Sequence, residues 1–250
     1  MAEPLRALVL AGGLGLRLRS VVGELPKSLA PVAGRPFLHY VLAFLRRNDV
    51  EDVTLCTGYG AAAVSSLVGT GEAWGLRVDY SEEPSPLGTG GAVRLAVANG
   101  DDERLLVLNG DSYFDVSLGD LVETHRALGG QATIAARRTE AAGRFGTLTI
   151  GSQGDVLSFQ EKAVAGPAEM NGGIYVLERS VLDGWPADTS ISLERQIFPS
   201  LISADGVAEG GSGRLKAALF DGFFIDIGIP SDLASINRDP APLLHDAARC

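Results

Sequence analysis

The first half of the chain alternates short apolar runs with amphipathic stretches. Between residues 36 and 47, apolar side chains recur at the i, i+3, i+4, i+7 and i+8 spacing of a helix with one buried face, and Pro36 suits its first turn. Strands are predicted near Ala7–Ala11, Val53–Thr57, Leu76–Ser81 and Leu105–Leu108, and further helices near Ala61–Val68 and Gly91–Ala98. Because strands and helices in alternation are typical of right-handed crossovers, we predict a doubly wound parallel sheet.

The pattern changes after Gly130, where strand-like runs and glycine become more frequent. These runs are Ala132–Arg138, Gly146–Ile150, Val156–Gln160 and Gly172–Leu177. A helix is predicted around Ser192–Phe198, and two strands within Leu215–Ile227 are predicted to meet at Gly222. We therefore predict a single domain over residues 1–250, with halves at about 1–130 and 131–238 and a C-terminal tail at 239–250.

The composition is that of a folded chain with an acidic balance. Of its 250 residues, 46% are hydrophobic and 21% are charged, which allows a substantial buried core. The net charge of −10 argues against nucleic acid and anionic membranes as partners, because clustered Lys and Arg hold such surfaces. It does not argue against small phosphate substrates, which need only a few local cations, helix N-termini or a metal ion.

Cysteine and histidine usage favours a reducing compartment and no zinc. Cys56 and Cys250 cannot form a disulfide framework, and the scattered histidines have no zinc-ligand spacing. His39 and His125 are interpreted as surface or packing residues. The apolar run near the N-terminus is only about six residues long, too short for a signal sequence or a membrane span. We expect a cytoplasmic protein.

The loop after the first predicted strand carries the features that phosphate chemistry needs. Gly12, Gly13 and Gly15 let backbone N–H groups approach an anion closely. Arg17 and Lys27 follow with fixed positive charge. These residues predict a cradle for a triphosphate, although a glycine cluster of this kind by itself is equally suited to a tight turn.

Two other nucleotide-binding motifs do not fit this loop. A dinucleotide-binding fingerprint needs a third glycine where Leu18 stands, and no ribose-binding acid ends the second strand. A Walker A loop needs Gly directly before Lys and Ser, but Pro26 precedes Lys27. The loop therefore indicates neither an NAD-binding nor a P-loop protein.

Two aspartates follow apolar strands. Asp111 comes after Leu105–Leu108, which places its carboxylate at the carboxyl end of a strand, where ligands bind in α/β sheets. Asp226 also ends an apolar run. Oxygen ligands of this kind suit Mg²⁺, but either residue alone also suits a turn or a helix cap.

The order of these motifs resembles the sugar-1-phosphate nucleotidyltransferases. Gly12-Gly13-x-Gly15-x-Arg17-Leu18 followed by Pro26-Lys27 is similar to the signature of that family, in which the glycine loop holds the NTP. Further similar segments are Glu82–Ala92, Leu106–Asp111, Phe145–Leu148, Glu161-Lys162, Asn171–Leu177 and Phe224–Pro230. The segments LNGDSYF, NGGIYVL and FIDIGIP are similar in particular to D-glycero-α-D-manno-heptose 1-phosphate guanylyltransferases.

The resemblance implies a fold, a reaction and a set of residues. The fold is a Rossmann-like, mostly parallel mixed sheet flanked by helices, with a β-rich half for the sugar phosphate and an NTP-binding half at about 1–130. The reaction condenses an NTP with a sugar 1-phosphate and releases pyrophosphate. The implied roles are catalysis for Arg17 and Lys27, nucleotide binding for Leu10, Gly12, Gly13, Gly15, Glu83, Gly88 and Thr89, sugar-phosphate binding for Asn109, Gly146, Glu161, Lys162, Asn171 and Gly172, and Mg²⁺ binding for Asp111 and Asp226.

The resemblance also bears on the base. In the family, the residue at the position of Glu83 faces the Watson–Crick edge, and a carboxylate accepts two hydrogen bonds from guanine N1–H and N2. GTP and a heptose 1-phosphate are therefore the expected substrates. A hexose or N-acetylmuramate 1-phosphate uridylyl- or guanylyltransferase, and a regulatory subunit that binds nucleotide sugars without catalysis, stay open as alternatives. So do a substrate role for Glu194 or Arg195 and assembly into a homo-oligomer.

Overall fold

The computed structural model describes residues 6–98, 100–140, 143, 145–160, 166–186, 189–202 and 213–247. Its strands are β1 Ala7–Leu10, β2 Pro31–Val32, β3 Arg35–Pro36, β4 Asp52–Thr57, β5 Arg77–Glu82, β6 Arg104–Asn109, β7 Ser112–Phe114, β8 Ala132–Thr139, β9 Thr147–Ile150, β10 Val156–Gln160, β11 Ala168–Glu178, β12 Leu215–Leu219 and β13 Phe224–Asp226. Its α-helices are α1 Arg19–Val22, α2 Phe37–Arg47, α3 Ala61–Val68, α4 Gly88–Ala96, α5 Leu118–Leu128, α6 Phe198–Leu201, α7 Pro230–Arg238 and α8 Ala241–Ala247.

A nine-stranded mixed sheet forms the centre of the fold. Its main path runs β10-β9-β11-β6-β1-β4-β5, and β8 pairs with both β11 and β12. The neighbours β6, β1, β4 and β5 are parallel, whereas β11 is antiparallel to β6, β8 and β9. The predicted doubly wound, mostly parallel mixed sheet is confirmed. Because β6 and β11 are adjacent, both halves of the chain share this one sheet.

Hydrophobic clusters cover both faces of the sheet, and α2 lies within one of them. The predicted apolar stripe of α2 is buried, but Leu38, Leu42 and Ala43 outside the stripe are also buried. Helix α8 packs against α2, and its Leu243 belongs to the same hydrophobic cluster. Pro36, predicted to lie in the first turn, is instead the N-cap of α2 and part of β3, and the helix begins one residue later at Phe37.

A bulge interrupts β11 close to the middle of the sheet. The register shifts between Asn171 and Tyr175, and Gly173 adopts a left-handed φ of 74° there. A Cβ atom on Gly172 would lie 2.7 Å from the carbonyl oxygen of Ala135 and would overlap the ring of Phe114. Bulges re-aim side chains, so this one controls where the polar residues of β11 point.

Two predicted segments differ in detail from the structure. The strands within Leu215–Ile227 form, but β12 joins the central sheet while β13 pairs with β7 in a separate ribbon. Gly222 lies between them, and a Cβ atom there would overlap the backbone of Asp115. The predicted helix at Ser192–Phe198 is a π-helix at Leu193–Ile197 that continues into α6.

His125 is a packing residue, as predicted. It is 1% exposed, and its ring nitrogens contact Thr133 Oγ1 at 2.8 Å and Glu178 Oε1 at 3.0 Å. Burial lowers the pKa of His125, an effect that the charge of Glu178 opposes. His39 is half-buried and contacts Arg35 and Trp74. None of the described helices combines the length and the apolar character of a transmembrane span.

A buried ion pair joins β12 to the turn between β9 and β10. Lys216 Nζ lies 2.5 Å from Asp155 Oδ1, and the two side chains are 3% and 7% exposed. The backbone N–H of Gly213 also donates to Asp155 Oδ1, at 2.8 Å. Removing the charge of one partner would therefore leave the other charge buried without compensation.

We expect Asp155→Asn to lower the free energy of unfolding by about 3–5 kcal/mol, because it breaks this pair but keeps the shape of the side chain. Urea denaturation measures the change. The matched control is Asp52→Asn, which breaks the exposed pair between Asp52 and Arg77 and should cost far less. Equal losses in the two variants would contradict the assigned role of the buried pair.

Candidate active site

Two adjacent cavities open at the carboxyl ends of the parallel strands. The ends of these strands are joined by backbone bonds, for example Ala11 N to the Cys56 oxygen at 2.8 Å and Gly110 N to the Leu10 oxygen at 2.9 Å. Cavity A has a volume of about 360 Å³ and cavity B of about 410 Å³. Both are lined by Gly13, Leu14, Lys27 and Asp111.

Most of the predicted site residues line these cavities. Those in cavity A are Leu10, Gly12, Gly13, Lys27, Glu83, Gly88, Thr89, Asn109 and Asp111. Those in cavity B are Gly13, Gly15, Arg17, Lys27, Asp111 and Asp226. Asn109, which was predicted to bind the sugar phosphate, thus lies among the predicted nucleotide residues.

Five predicted sugar-phosphate residues lie elsewhere or are not described. Gly146, Asn171 and Gly172 line neither cavity, and Glu161-Lys162 fall outside the described residues. The Asn171 amide is already engaged, since its Nδ2 donates to Tyr175 Oη at 2.9 Å and its Oδ1 accepts from Gly173 N at 2.9 Å.

The glycines of the first loop differ in what surrounds them. A Cβ atom on Gly12 would lie 2.7 Å from Glu83 Oε1 and 3.1 Å from Gly58 N. Gly15 has a left-handed φ of 56°, and its Cβ atom would lie 3.1 Å from that of Lys27. Gly13 has nothing within 4 Å at the same position. Gly12 and Gly15 are therefore required by packing, whereas the space beside Gly13 is open to a ligand.

One ammonium group joins the two predicted metal-binding carboxylates. Lys27 begins a 3₁₀ turn after Pro26, and its Nζ lies 2.5 Å from Asp111 Oδ2 and 3.3 Å from Asp226 Oδ1. Burial lowers the pKa of Lys27, but the two carboxylates outweigh it and the net effect is a raised pKa. Burial, followed by the charge of Asp111, raises the pKa of Asp226. The backbone N–H of Gly228 also donates to Asp226 Oδ1.

The donor set around this ammonium fits a divalent cation. Asp111 and Asp226 are partly exposed, with 36% and 29% of their side chains accessible, and both line cavity B. No cluster of three or more Asp, Glu, His or Cys side chains suited to a metal ion is found in the part of the chain that the structure describes. Two carboxylates beside an open cavity match the way Mg²⁺ is usually held, by one or two carboxylates together with substrate phosphates.

Glu83 lies in the wall of cavity A. Its Oε2 accepts a hydrogen bond from Leu87 N at 2.7 Å, whereas its Oε1 is the atom that faces Gly12. Burial raises the pKa of Glu83, and the bond from Leu87 partly offsets this effect. The carboxylate is held from one side and keeps its other oxygen for the cavity.

Among the residues of cavity A that sequence reasoning missed, Ser28 and Cys56 carry a hydroxyl and a thiol group. Ser28 is 2% exposed, and its hydroxyl has no hydrogen-bond partner among the described residues. Cys56 is fully buried, and burial together with the charge of Glu83 raises its pKa to about 12, so it is an unreactive thiol. A hydroxyl directly after Lys27 was the only signal in the sequence for Ser28.

Glu194, which sequence reasoning left open, is also part of cavity A. Its Oε2 accepts from Thr89 Oγ1 at 2.7 Å and from Ser192 Oγ at 2.9 Å. Its Oε1 accepts from Tyr175 Oη at 3.3 Å. Arg195 is exposed and lines neither cavity.

Comparison with known proteins gives one consistent match. The sequence model described as nucleotidyl transferase matches residues 6–241. The chain is 33% identical over 235 residues to the D-glycero-α-D-manno-heptose 1-phosphate guanylyltransferase of Aneurinibacillus thermoaerophilus, covering 94% of this chain and 98% of that protein. It is 32% identical over 246 residues to the mannose-1-phosphate guanylyltransferase of Mycobacterium tuberculosis, covering 96% and 67%.

The fold is similar to that of solved structures. HddC from Yersinia pseudotuberculosis complexed with GMP-PN superposes with a TM-score of 0.80 at 30% identity, covering 94% of this chain and 98% of that one. A protein from Bacillus anthracis named as a putative glucose-1-phosphate thymidylyltransferase shares the fold at 22% identity with a TM-score of 0.79.

The glycine environments predict opposite effects of two neighbouring substitutions. We expect Gly12→Ala to lower the free energy of unfolding by about 1–3 kcal/mol, because the new methyl group would press on Glu83 and on the backbone of Gly58. Gly13→Ala is the matched control and should leave it unchanged or raise it by about 0.4–1 kcal/mol. Urea denaturation of both variants measures the difference, and a less stable Gly13→Ala variant would contradict the open space beside Gly13.

Proposed function

The chain belongs to the nucleotidyl transferase family, and we propose that it condenses GTP with D-glycero-α-D-manno-heptose 1-phosphate to give a GDP-sugar and pyrophosphate. As a sugar-1-phosphate nucleotidyltransferase it takes an NTP and a sugar 1-phosphate as substrates. The observation that carries the proposal is the position of Lys27 between Asp111 and Asp226, where cavities A and B meet. In this proposal, residues 1–130 bind the nucleotide and residues 131–238 bind the sugar phosphate.

The reaction needs two polyanions to meet. An oxygen of the sugar 1-phosphate attacks the α-phosphorus of the NTP, and the bond from that phosphorus to the departing pyrophosphate oxygen breaks. The attacking oxygen is already anionic near neutral pH, so no side chain has to form a covalent intermediate. The work of the site is orientation and the offsetting of negative charge.

The chain supplies fixed cations and close backbone for this purpose. Lys27 is held as an ammonium by its two carboxylate partners, and exposed Arg17 lines the same cavity B. The open backbone at Gly13 lets phosphate oxygens approach N–H groups. Family members of this type generally use a divalent metal ion. We propose Mg²⁺ at Asp111 and Asp226, where it would neutralise phosphoryl charge across both substrates.

Glu83 supports guanine as the base. A carboxylate can accept from the adjacent N1–H and N2 amino groups of guanine, whereas uracil and thymine offer one donor between two oxygens that would be repelled. Adenine offers an acceptor at N1 beside its amino group. The Leu87 bond holds Glu83 at the cavity wall, and the guanylyltransferases among the relatives agree with this preference.

The first test is pyrophosphate release over four NTPs and the 1-phosphates of the heptose, mannose, glucose and N-acetylmuramate. We expect the highest kcat/KM for GTP with the heptose, and no activity in excess EDTA. Asp111→Asn and Asp226→Asn should each lower kcat roughly a hundredfold or more, because they weaken metal binding, with little change in stability. Asp120→Asn, exposed on α5, is the control. Full activity in EDTA, or no release with any pair, would overturn the proposal.

The second test concerns the base. Glu83→Gln keeps an oxygen for Leu87 but turns an amide donor toward the guanine donors, a mismatch of roughly 1–3 kcal/mol. We expect the ratio of kcat/KM for GTP to that for UTP to fall about ten- to hundredfold. The exposed Glu82→Gln is the control and should leave the ratio unchanged. An unchanged ratio in Glu83→Gln, or a wild type that prefers another NTP, would show that Glu83 does not read guanine.

A further inference from the structure

Glu194 lies in a segment of irregular helix beside cavity A. It is the second residue of the π-helix Leu193–Ile197, a rare form that is often found at functional sites. Its side chain is half-buried, and the residue forms part of the wall of cavity A. A carboxylate in such a position needs hydrogen-bond donors, and three hydroxyl groups supply them.

The direction of each of these three hydrogen bonds is determined by a second bond. Thr89 Oγ1 accepts from Leu193 N at 2.8 Å, Ser192 Oγ accepts from Arg195 N at 3.2 Å, and Tyr175 Oη accepts from Asn171 Nδ2 at 2.9 Å. Each hydroxyl therefore has its own hydrogen free to donate to Glu194. Each of the three hydrogen bonds therefore uses Glu194 as the acceptor.

The count of acceptor sites leaves one for a ligand. An ionised carboxylate offers about four lone-pair sites, two on each oxygen. Thr89 and Ser192 occupy both sites on Oε2, and Tyr175 occupies one on Oε1 with a longer bond of 3.3 Å. One site on Oε1 remains, and no described residue donates to it.

We propose that Glu194 is a specificity residue that accepts a hydrogen bond from a substrate hydroxyl in cavity A. A phosphate or carboxylate group would be repelled by its charge, so the ligand group is a neutral donor. The ribose of the NTP and the sugar of the sugar 1-phosphate both carry such hydroxyls. The inference rests on the proposed function, because it takes these two substrates as the occupants.

The partners of Glu194 fix its position from two parts of the fold, α4 and β11. Thr89 is the second residue of α4, after Gly88, which has a left-handed φ of 73°. A Cβ atom on Gly88 would lie 2.6 Å from the Ile191 carbonyl oxygen. Tyr175 is fully buried on β11, and its ring packs at a tilt against Phe198 with centroids 5.0 Å apart. Glu194 thus connects the start of α4, which carries the predicted nucleotide-binding residues Gly88 and Thr89, to strand β11, which carries Asn171.

The experiment is a double cycle in which one hydroxyl group is removed from a substrate and one side chain, that of Glu194, is changed in the protein. The probes are GTP, 2′-deoxy-GTP and 3′-deoxy-GTP, and the sugar 1-phosphate of highest activity with its singly deoxygenated analogues. For wild type, we expect one analogue to lose roughly ten- to hundredfold in kcat/KM, since it leaves the acceptor unpaired. For Glu194→Gln, kcat/KM for the same analogue should be less than about threefold below kcat/KM for the full substrate, because the charged acceptor is already gone. The substrate that shows this loss identifies the ribose or the sugar as the source of the hydroxyl.

Matched variants and a second readout keep the outcome decisive. Glu123→Gln, an exposed residue of α5, should keep the wild-type pattern. If Glu194→Gln does not fold, Glu194→Asp keeps the charge but withdraws the acceptor by one methylene and should also lose the discrimination. Calorimetric dissociation constants for the same probes test the contact without turnover, so loss of pyrophosphate release would count against the proposed function alone. If every analogue binds and reacts as the full substrate does, or if the Glu194 variants discriminate as wild type does, the inference is overturned.

Discussion

Lys27 balances two carboxylates that come from distant parts of the chain, and the geometry of the site depends on this balance. Asp111 is 84 residues away in sequence and Asp226 is 199 residues away, yet both contact the same ammonium. Without the lysine charge, two carboxylates would face each other in a partly buried place, which is costly. The positive charge of Lys27, which holds the two carboxylates in place, is also the kind of charge that a bound triphosphate needs.

The fold brings these three groups together through strand ends rather than through a long chain of contacts. Lys27 follows the glycine loop after β1, Asp111 lies in the short turn between β6 and β7, and Asp226 ends β13. The strands β1 and β6 are parallel neighbours, so their carboxyl ends meet at one edge. The β13–β7 ribbon then returns Asp226 to that edge, because β13 pairs with the strand that follows Asp111. The backbone of Asp111 itself accepts from Ile227 N at 3.1 Å.

Close packing of glycine supports the same geometry. Gly110 has room for no side chain, since a Cβ atom would lie 2.8 Å from the Leu10 oxygen, and this contact keeps the ends of β1 and β6 in register. Gly88 permits the turn that sets Thr89 against Glu194. Among the glycines that line cavities A and B, Gly12, Gly15, Gly88, Gly110 and Gly228 are closely packed, whereas Gly13 leaves space for a ligand.

The sequence by itself determined the elements and most of the residues that line the cavities. These features are local signals, which depend on residues that are close together in the sequence. They are the 3.6-residue period of α2, the apolar strands β1, β4 and β6, and the ordered motifs from Gly12 to Asp226. Only the tertiary structure decided that Lys27 lies between the two aspartates. It also decided that Asn171 donates a hydrogen bond to Tyr175 and does not line either cavity. It further decided that Glu194 is a half-buried side chain bonded to hydroxyl groups and not a surface charge. The reason is that its partners Tyr175 and Thr89 are 19 and 105 positions away in the chain, and such distances leave no period or spacing in the sequence.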